Sequence, residues 1–313
     1  MFDHIITLSL NPAIDATLWV DRIQTGADNV VRMERYESAG KAMNVSRALR
    51  IYGVESLALV LAGSNNRKRY EEPLRTEGIR YTLIPVEGYT RENISVVQED
   101  HNVTRFIRGG FSVPYEAVTE LTQLLSREVR EGSLVVISGT LPAGISDSVL
   151  KGICLAIREK GGVLALDTSA RFSLEDMAEI SPWLIKPNRE ELEALAHREL
   201  PTTRDLVEFC RQLEGCGVRP CLVSMGDSGI LYTGEEGVYQ VMVPNVNVVS
   251  AVGSGDYCLA GFVLSQATGK DLVRSLKTAA SFGTAACLTE GTSPPTCIAT
   301  ANILQQVLCE KLA

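Results

Sequence analysis

No apolar run in this chain approaches the roughly 20 residues needed to span a bilayer, and Met1-Phe2-Asp3-His4 lacks the basic start of a secretory signal. Histidine is scarce: His4, His101 and His197 are too scattered to suggest a zinc site. The eight cysteines (154, 210, 216, 221, 258, 287, 297 and 309) form no CxxC pair. Most sit inside apolar runs, which predicts buried, reduced thiols rather than a disulfide framework. An excess of positive charge is absent as well. A net charge of −8 leaves no footprint for nucleic acid or an anionic membrane, so an anionic substrate must meet a local cluster of Arg and Lys. No strand is followed by GxGxxG and then an acidic residue about twenty positions on, which argues against a dinucleotide-dependent dehydrogenase. Internal repeats, low-complexity tracts and separating linkers are missing too. These absences predict one cytoplasmic unit over residues 1–313, with no nucleic-acid or membrane partner.

What is present is an alternation of strands and helices. Ile5–Leu10 reads as a core strand stopped by Asn11-Pro12. Ala16–Val20 with Val30–Tyr36, and Glu92–Glu99 with Val103–Ile107, alternate polar and apolar residues around turn-rich segments. That is the pattern of antiparallel pairs with one covered face, and it predicts a small sheet projecting as a lid over about 13–36 and 86–110. Elsewhere helical patterns (42–52, 67–77, 115–130, 148–160, 189–196, 204–214) alternate with short apolar strands (57–62, 81–85, 134–138, 163–167, 183–186, 221–225). A hairpin over 229–243 and three helices, 256–266, 272–288 and 299–312, complete the reading. Such units imply a three-layer α/β/α sandwich with a mostly parallel central sheet.

In such a sheet ligands sit beyond the carboxyl ends of the strands. There the chain places Asn11-Pro12-Ala13-Ile14-Asp15, Ser138-Gly139-Thr140-Leu141-Pro142, Asp167-Thr168-Ser169, Lys186-Pro187-Asn188-Arg189-Glu190-Glu191 and Ser224-Met225-Gly226-Asp227-Ser228-Gly229. Any one of these could be ordinary turn chemistry; their shared position points to a site. The most informative stretch is Val252-Gly253-Ser254-Gly255-Asp256-Tyr257, a glycine-rich turn opening an apolar helix. Backbone N–H groups and the helix dipole make such a turn an anion site. Asp256 then either caps the helix or serves as general base beside a phosphoryl group in transfer.

These motifs resemble the PfkB, or ribokinase-like, carbohydrate kinases from Leu8 to about Gly291. Gly253-Ser254-Gly255-Asp256 with Ala260-Gly261-Phe262 resembles that family's C-terminal signature. Ser38-Ala39-Gly40-Lys41-Ala42-Met43-Asn44-Val45 resembles the N-terminal one, and Asn188 through Glu191 the Asn-x-x-Glu element. Within the family, Asn11–Asp15, Gly40-Lys41 and Ser138–Pro142 are most similar to the phosphosugar kinases: the 1-phosphofructokinase, tagatose-6-phosphate kinase and minor 6-phosphofructokinase types. The resemblance implies ATP and Mg²⁺ as cofactors and a homodimer built through the lid. It casts Asp256 as catalytic base and Gly253, Ser254 and Gly255 as the anion hole. Asp15, Gly40, Lys41, Asn44 and Ser138 would line the sugar site, with Lys41, Arg91 and Arg105 meeting the phosphate already on the substrate. Lys186, Asn188, Ser224, Gly226 and Gly229 would follow the nucleotide phosphates, Asn188 and Glu191 would hold magnesium through water, and 243–248 and 279–283 would wall the adenine.

Four positions depart from the family pattern. Ala39, Ala42 and Ala170 stand where glycine is usual, and Tyr257 stands where a small residue follows the aspartate. The reading is an ATP-dependent kinase of fructose 1-phosphate, tagatose 6-phosphate or fructose 6-phosphate. The alternatives are a kinase of an unphosphorylated sugar or nucleoside and a non-catalytic sugar-phosphate-binding protein.

Overall fold

The computed structural model describes residues 2–100 and 102–312, so the expectations that involve His101 lie outside the described residues. Strand β1 (Ile5–Ser9) is buried at every position and ends before Asn11-Pro12. Strands β2 (Ala13–Val20) and β3 (Met33–Ala39) form the first alternating pair. Helix α1 (Lys41–Ile51) starts directly after Gly40, whose φ of 137° lies outside the range side-chain-bearing residues favour. There follow β4 (Leu57–Gly63), α2 (Arg67–Thr76), β5 (Arg80–Val86), β6 (Arg91–Gln98) and β7 (Val103–Ile107). The middle of the chain alternates: α3 (Tyr115–Glu128), β8 (Leu134–Gly139), α4 (Asp147–Glu159), β9 (Val163–Thr168), α5 (Leu174–Ile180), β10 (Leu184–Ile185), α6 (Arg189–Ala196), α7 (Thr203–Gly215) and β11 (Cys221–Ser224). The last part holds β12 (Ile230–Gly234), β13 (Gly237–Met242), α8 (Ser254–Ala267), α9 (Leu272–Ala286), α10 (Cys297–Leu304) and β14 (Leu308–Lys311).

These strands make a ten-stranded sheet, in the order β14-β13-β12-β11-β10-β9-β8-β1-β4-β5, and a four-stranded one, β3-β2-β6-β7. The large sheet is parallel from β5 across to β11 and antiparallel from β11 to β14. Alternate residues of its strands feed apolar clusters on its two faces. Val135 and Ile137 face the layer of α3 to α7, while Leu134 and Val136 face α1, α8 and α9. Both faces are covered, which explains the unbroken apolar runs of the central strands. Helix α8 is buried on all sides from Asp256 to Ser265, an environment that suits its almost wholly apolar sequence. In the small sheet the two antiparallel pairs are joined by a parallel pairing of β2 with β6.

Two expectations need correction. The segment 299–312 is not one helix: α10 ends at Leu304, and Leu308–Lys311 runs antiparallel to β13 as an edge strand. The apolar pattern there belongs to two elements, with Ile303 and Val307 buried at their junction and Leu308 exposed. Helix α5 is an element that the sequence pattern does not predict. Its seven residues are too few for a clear period, although Ser173 and Asp176 form a reciprocal capping box at its start.

Candidate active site

The turn before α8 departs from a plain capped helix start. Gly253 occupies the left-handed region at φ 83°, and no side chain caps the helix it opens. Asp256 does not bond the free amides at that end. Its Oδ2 accepts from Asn44 Nδ2, on α1, at 2.8 Å. The orientation of that amide is set from behind, because Arg47 Nη1 donates to Asn44 Oδ1 at 3.3 Å while the Arg47 guanidinium pairs with Glu77 at 2.8 Å. The helix N-terminus therefore keeps amides for an anion, and the carboxylate stands beside them as a separate functional group.

Charge concentrates around Asp167 at the end of β9. Its Oδ1 lies 3.4 Å from the buried Lys186 Nζ and 3.6 Å from the partly exposed Lys41 Nζ, and its Oδ2 accepts from Ser138 Oγ at 3.1 Å. Asp256 is only 5% exposed, and its pKa is pushed up to about 6. Burial is the main cause and the Asp167 carboxylate the next; Asn44, Lys41 and Lys186 pull the other way. Burial opposes the charge on Lys186, but its anionic surroundings, Asp167 first, outweigh that and leave its pKa above the ordinary lysine value. A carboxylate poised near neutrality beside two ammonium groups is suited to taking a proton from a hydroxyl.

A cleft of about 520 Å³ runs along this cluster. Gly253, Ser254, Gly255 and Asp256 form one wall, and Lys41, Asp167 and Lys186 lie at its floor. Asn188, Glu191, Ser224, Gly226 and Gly229 line its length. Val243, Val246, Val248, Ala280, Gly283 and Cys287 give it an apolar end of the kind a nucleobase occupies. Gly229 is required by packing as well as by its φ of 85°: a Cβ there would lie 2.0 Å from the Val241 carbonyl oxygen. A neighbouring cavity of about 620 Å³ shares Asp167, Lys186 and Glu191, but its floor is Phe172, Met177 and Leu195, and it does not reach Asp256.

Oxygen donors at the cleft suit a hydrated magnesium ion carried with nucleotide phosphates. Asn188 and Glu191 cap α6 reciprocally, Asn188 Oδ1 accepting from the Glu191 amide and Glu191 Oε2 from the Asn188 amide, each at 2.8 Å. Among the described residues the other Glu191 oxygen has no hydrogen-bond donor, which fits contact through water. The described residues contain no group of three or more His, Cys, Asp or Glu side chains that could cage a metal directly.

Toward the small sheet, Asp15 on β2 is held at both oxygens, by Asn93 Nδ2 at 2.7 Å and by Thr292 Oγ1 at 3.2 Å. Arg91 is half-buried beside it and donates to the carbonyls of Asn11 and Pro12, each at 3.3 Å, bracing the loop after β1. Burial lowers its pKa against the opposing effect of Asp15. Arg105 lies farther out, exposed on the outer strand β7 in register with Ser95, although on the sheet face that carries Asp15. Ser138 is buried and its hydroxyl is taken up by Asp167. Gly40 brings its backbone close to Ser9: a Cβ would stand 3.2 Å from Ser9 Oγ.

Three of the four departures from the motif, Ala39, Ala42 and Tyr257, fit the fold without backbone strain and do not line the cleft. Ala39 is the last residue of β3 and Ala42 lies in α1, and neither adopts a positive φ. Tyr257 does not enter the cleft; it is fully buried and donates its hydroxyl to the Thr292 carbonyl at 2.8 Å. Sequence reasoning assigns no role to Asp167 or Thr292. Asp167 is visible there only as a polar residue after a strand, and Thr292 carries no signal in its spacing.

A family model described as pfkB family carbohydrate kinase matches residues 8–298. The chain belongs to the pfkB family of carbohydrate kinases. This pfkB kinase is 31% identical over 264 residues to a 1-phosphofructokinase of Escherichia coli K12, with 84% of each chain covered. It is 29% identical over 291 residues to a tagatose-6-phosphate kinase of Staphylococcus epidermidis, covering 89% of this chain and 90% of that one. Among solved structures, phosphofructokinase-2 from Escherichia coli in complex with fructose-6-phosphate superposes with a TM-score of 0.86 at 26% identity, covering 98% of this chain and 99% of that one. The pfkB kinase is thus a phosphotransferase with an alcohol acceptor, working with ATP and Mg²⁺ on a ribokinase-like α/β fold. None of its helices among the described residues is long and apolar enough to cross a membrane.

Proposed function

We propose that this kinase transfers the γ-phosphoryl group of ATP to a hydroxyl of a ketohexose phosphate, giving a bisphosphate. The observation that carries the reading is the buried Asp256, poised at about 6 and held by Asn44 beside the uncapped start of α8. Asp256 accepts the proton of the attacking hydroxyl, and the amides of Gly253, Ser254 and Gly255 receive the charge of the transferring group. Lys41 and Lys186 neutralise charge at the inner end of the cleft. Mg-ATP, when bound, would supply the phosphoryl group with part of its charge already neutralised, and Asn188 with Glu191 would hold the metal through water. Asp15 orients acceptor hydroxyls, with Gly40 and Asn44 closing that side of the site. Lys41 and Arg91, with Arg105 from the outer strand, receive the phosphate already on the sugar.

The small sheet, over about 13–36 and 86–110, is the lid of one kinase domain spanning 1–313. Its exposed Val30, Val31, Met33, Phe106 and Ile107 are an apolar burden for a monomer and support a homodimer built through the lid. Eight free thiols fit a reducing, cytoplasmic setting.

The test is ADP release with Mg-ATP against fructose 1-phosphate, fructose 6-phosphate, tagatose 6-phosphate, fructose and ribose. A preferred sugar phosphate is the expected result. Turnover with free sugars alone would remove Lys41, Arg91 and Arg105 from phosphate recognition. Binding without turnover would favour a non-catalytic sugar-phosphate-binding protein.

A further inference from the structure

Asp15 belongs to the small sheet, whereas Asp256 belongs to the main body, and an acceptor hydroxyl must be placed relative to both. The side chain that ties Asp15 to the main body comes from neither β2 nor α8. Thr292 lies in the segment between α9 and α10, and its hydroxyl reaches Asp15 Oδ2 at 3.2 Å. Its backbone is anchored in turn by the residue after the catalytic base, since the buried Tyr257 hydroxyl donates to the Thr292 carbonyl at 2.8 Å. Thr292 also packs against the anion turn: a Cβ on Gly253 would stand 3.7 Å from Thr292 Cα and 3.6 Å from Tyr257 Cε2. Nearby bonds hold the segment's course, with Thr289 Oγ1 donating to the Ser293 carbonyl at 2.8 Å and Ser250 Oγ to the Gly291 carbonyl at 3.4 Å.

We propose that Thr292 is a positioning residue for the phosphoryl acceptor, fixing the Asp15 carboxylate, and that Tyr257 is the anchor that holds Thr292 in place. The proposal rests on the reading of Asp15 as a ligand of the acceptor hydroxyls. Asp15 has two fixed donors, Asn93 from the small sheet and Thr292 from the body. With Thr292 withdrawn, the carboxylate keeps one of them and can rotate about that bond. This gives a physical reason for the large residue that breaks the family pattern at 257. Its ring fills the space beneath the anion turn while its hydroxyl reaches the segment that steers the acceptor.

Four variants test this with whichever of the five acceptors the wild type turns over. Thr292→Val keeps the shape and loses the donor, Thr292→Ser keeps the donor, Tyr257→Phe loses only the anchor, and Asp15→Asn changes the partner. A hydrogen bond to a charged group supports a rise in acceptor KM of about tenfold for Thr292→Val. The KM for ATP should stay within about twofold, Thr292→Ser should restore the acceptor KM, and Tyr257→Phe should give a smaller rise of the same kind. Adding Thr292→Val to Asp15→Asn should raise acceptor KM by less than about twofold more, because the two changes remove one interaction. An unchanged acceptor KM in Thr292→Val, an equal loss for acceptor and ATP, or full additivity with Asp15→Asn overturns the proposal.

Hydrogen exchange gives a reading without turnover. Protection of the 290–293 and 13–17 amides should fall in Tyr257→Phe, and unchanged protection overturns the anchoring role. A wild type that turns over none of the five acceptors defeats the functional reading instead, and exchange still decides whether Tyr257 anchors Thr292.

Discussion

Asn44 Nδ2 and Asp256 Oδ2 meet at 2.8 Å although the two residues are 212 positions apart, so one hydrogen bond ties the start of α1 to the start of α8. Each residue comes from a different signature, and in the proposed function the pair marks where the acceptor hydroxyl loses its proton.

Replacing Asp256 with Asn removes the proposed proton acceptor and keeps the shape. Turnover should fall by at least about a hundredfold, the low end of what general bases contribute. The folded protein should nevertheless become more stable. The Asp256 carboxyl titrates at about 6 in the folded state against a reference of 3.8, so folded chains bind the extra proton between those values and lose stability as pH rises through that window. The Asn variant escapes that penalty and should gain about 1–3 kcal/mol at pH 8, with little gain at pH 4. Urea unfolding at the two pH values checks this; equal stability at pH 8 would count against the raised pKa.

The same group should set the acid limb of the pH–rate profile. Only the ionised carboxylate accepts a proton, so kcat/KM should fall as pH drops through about 6. Asn44 lowers the pKa of Asp256 and Asp167 raises it, which makes the two neighbours opposing controls. Asn44→Ala should move the acid limb upward and Asp167→Asn should move it downward. Initial rates between pH 5 and 8 provide the measurement, and a shift of the same sign in both variants would refute this assignment.

Restoring the family glycines should not improve the enzyme. Ala39 is extended and Ala42 is helical, and both side chains are buried without strain. Ala42→Gly should cost about 1 kcal/mol of stability through backbone entropy and leave kcat within about twofold. A marked gain in kcat from either Ala39→Gly or Ala42→Gly would show that the methyl groups obstruct the acceptor.

Gly40 is the converse case. With φ at 137° and Ser9 Oγ 3.2 Å from a Cβ built there, Gly40→Ala should lose about 1–3 kcal/mol in a chemical denaturation series. Acceptor KM should rise with it, because the same backbone leads directly into Lys41.

The punctuation at the strand ends makes most of the site legible in the sequence. Asn11–Asp15, Lys186–Glu191, Ser224–Gly229 and Gly253–Asp256 all end at one side of the molecule because parallel strands present the same end together. Pairings that depend on tertiary register are hidden. Nothing local brings Thr292 to Asp15 across 277 positions, or joins Lys41, Lys186 and Ser138 on Asp167. Arg105 is legible only in its residue type: the register of β7 with β6 and β2 is what puts it on the sheet face that carries Asp15. The 299–312 segment reads as one helix because an apolar run has no preference between helix and strand until a neighbour such as β13 offers hydrogen bonds.

From β8 onward the large sheet is laid down in order of synthesis, each strand from β9 to β14 pairing with the one made just before it. For a chain leaving the ribosome, each new strand in this half thus finds its template already made, although β13 keeps an open edge until β14 follows α8, α9 and α10. The earlier half behaves differently, because β1 must hold β4 on one side while its other edge stays open until β8 arrives. The vulnerable interval in biogenesis falls between those two events, and ribosome-bound chains arrested before Leu134 should be the ones that chaperones hold and proteases cut.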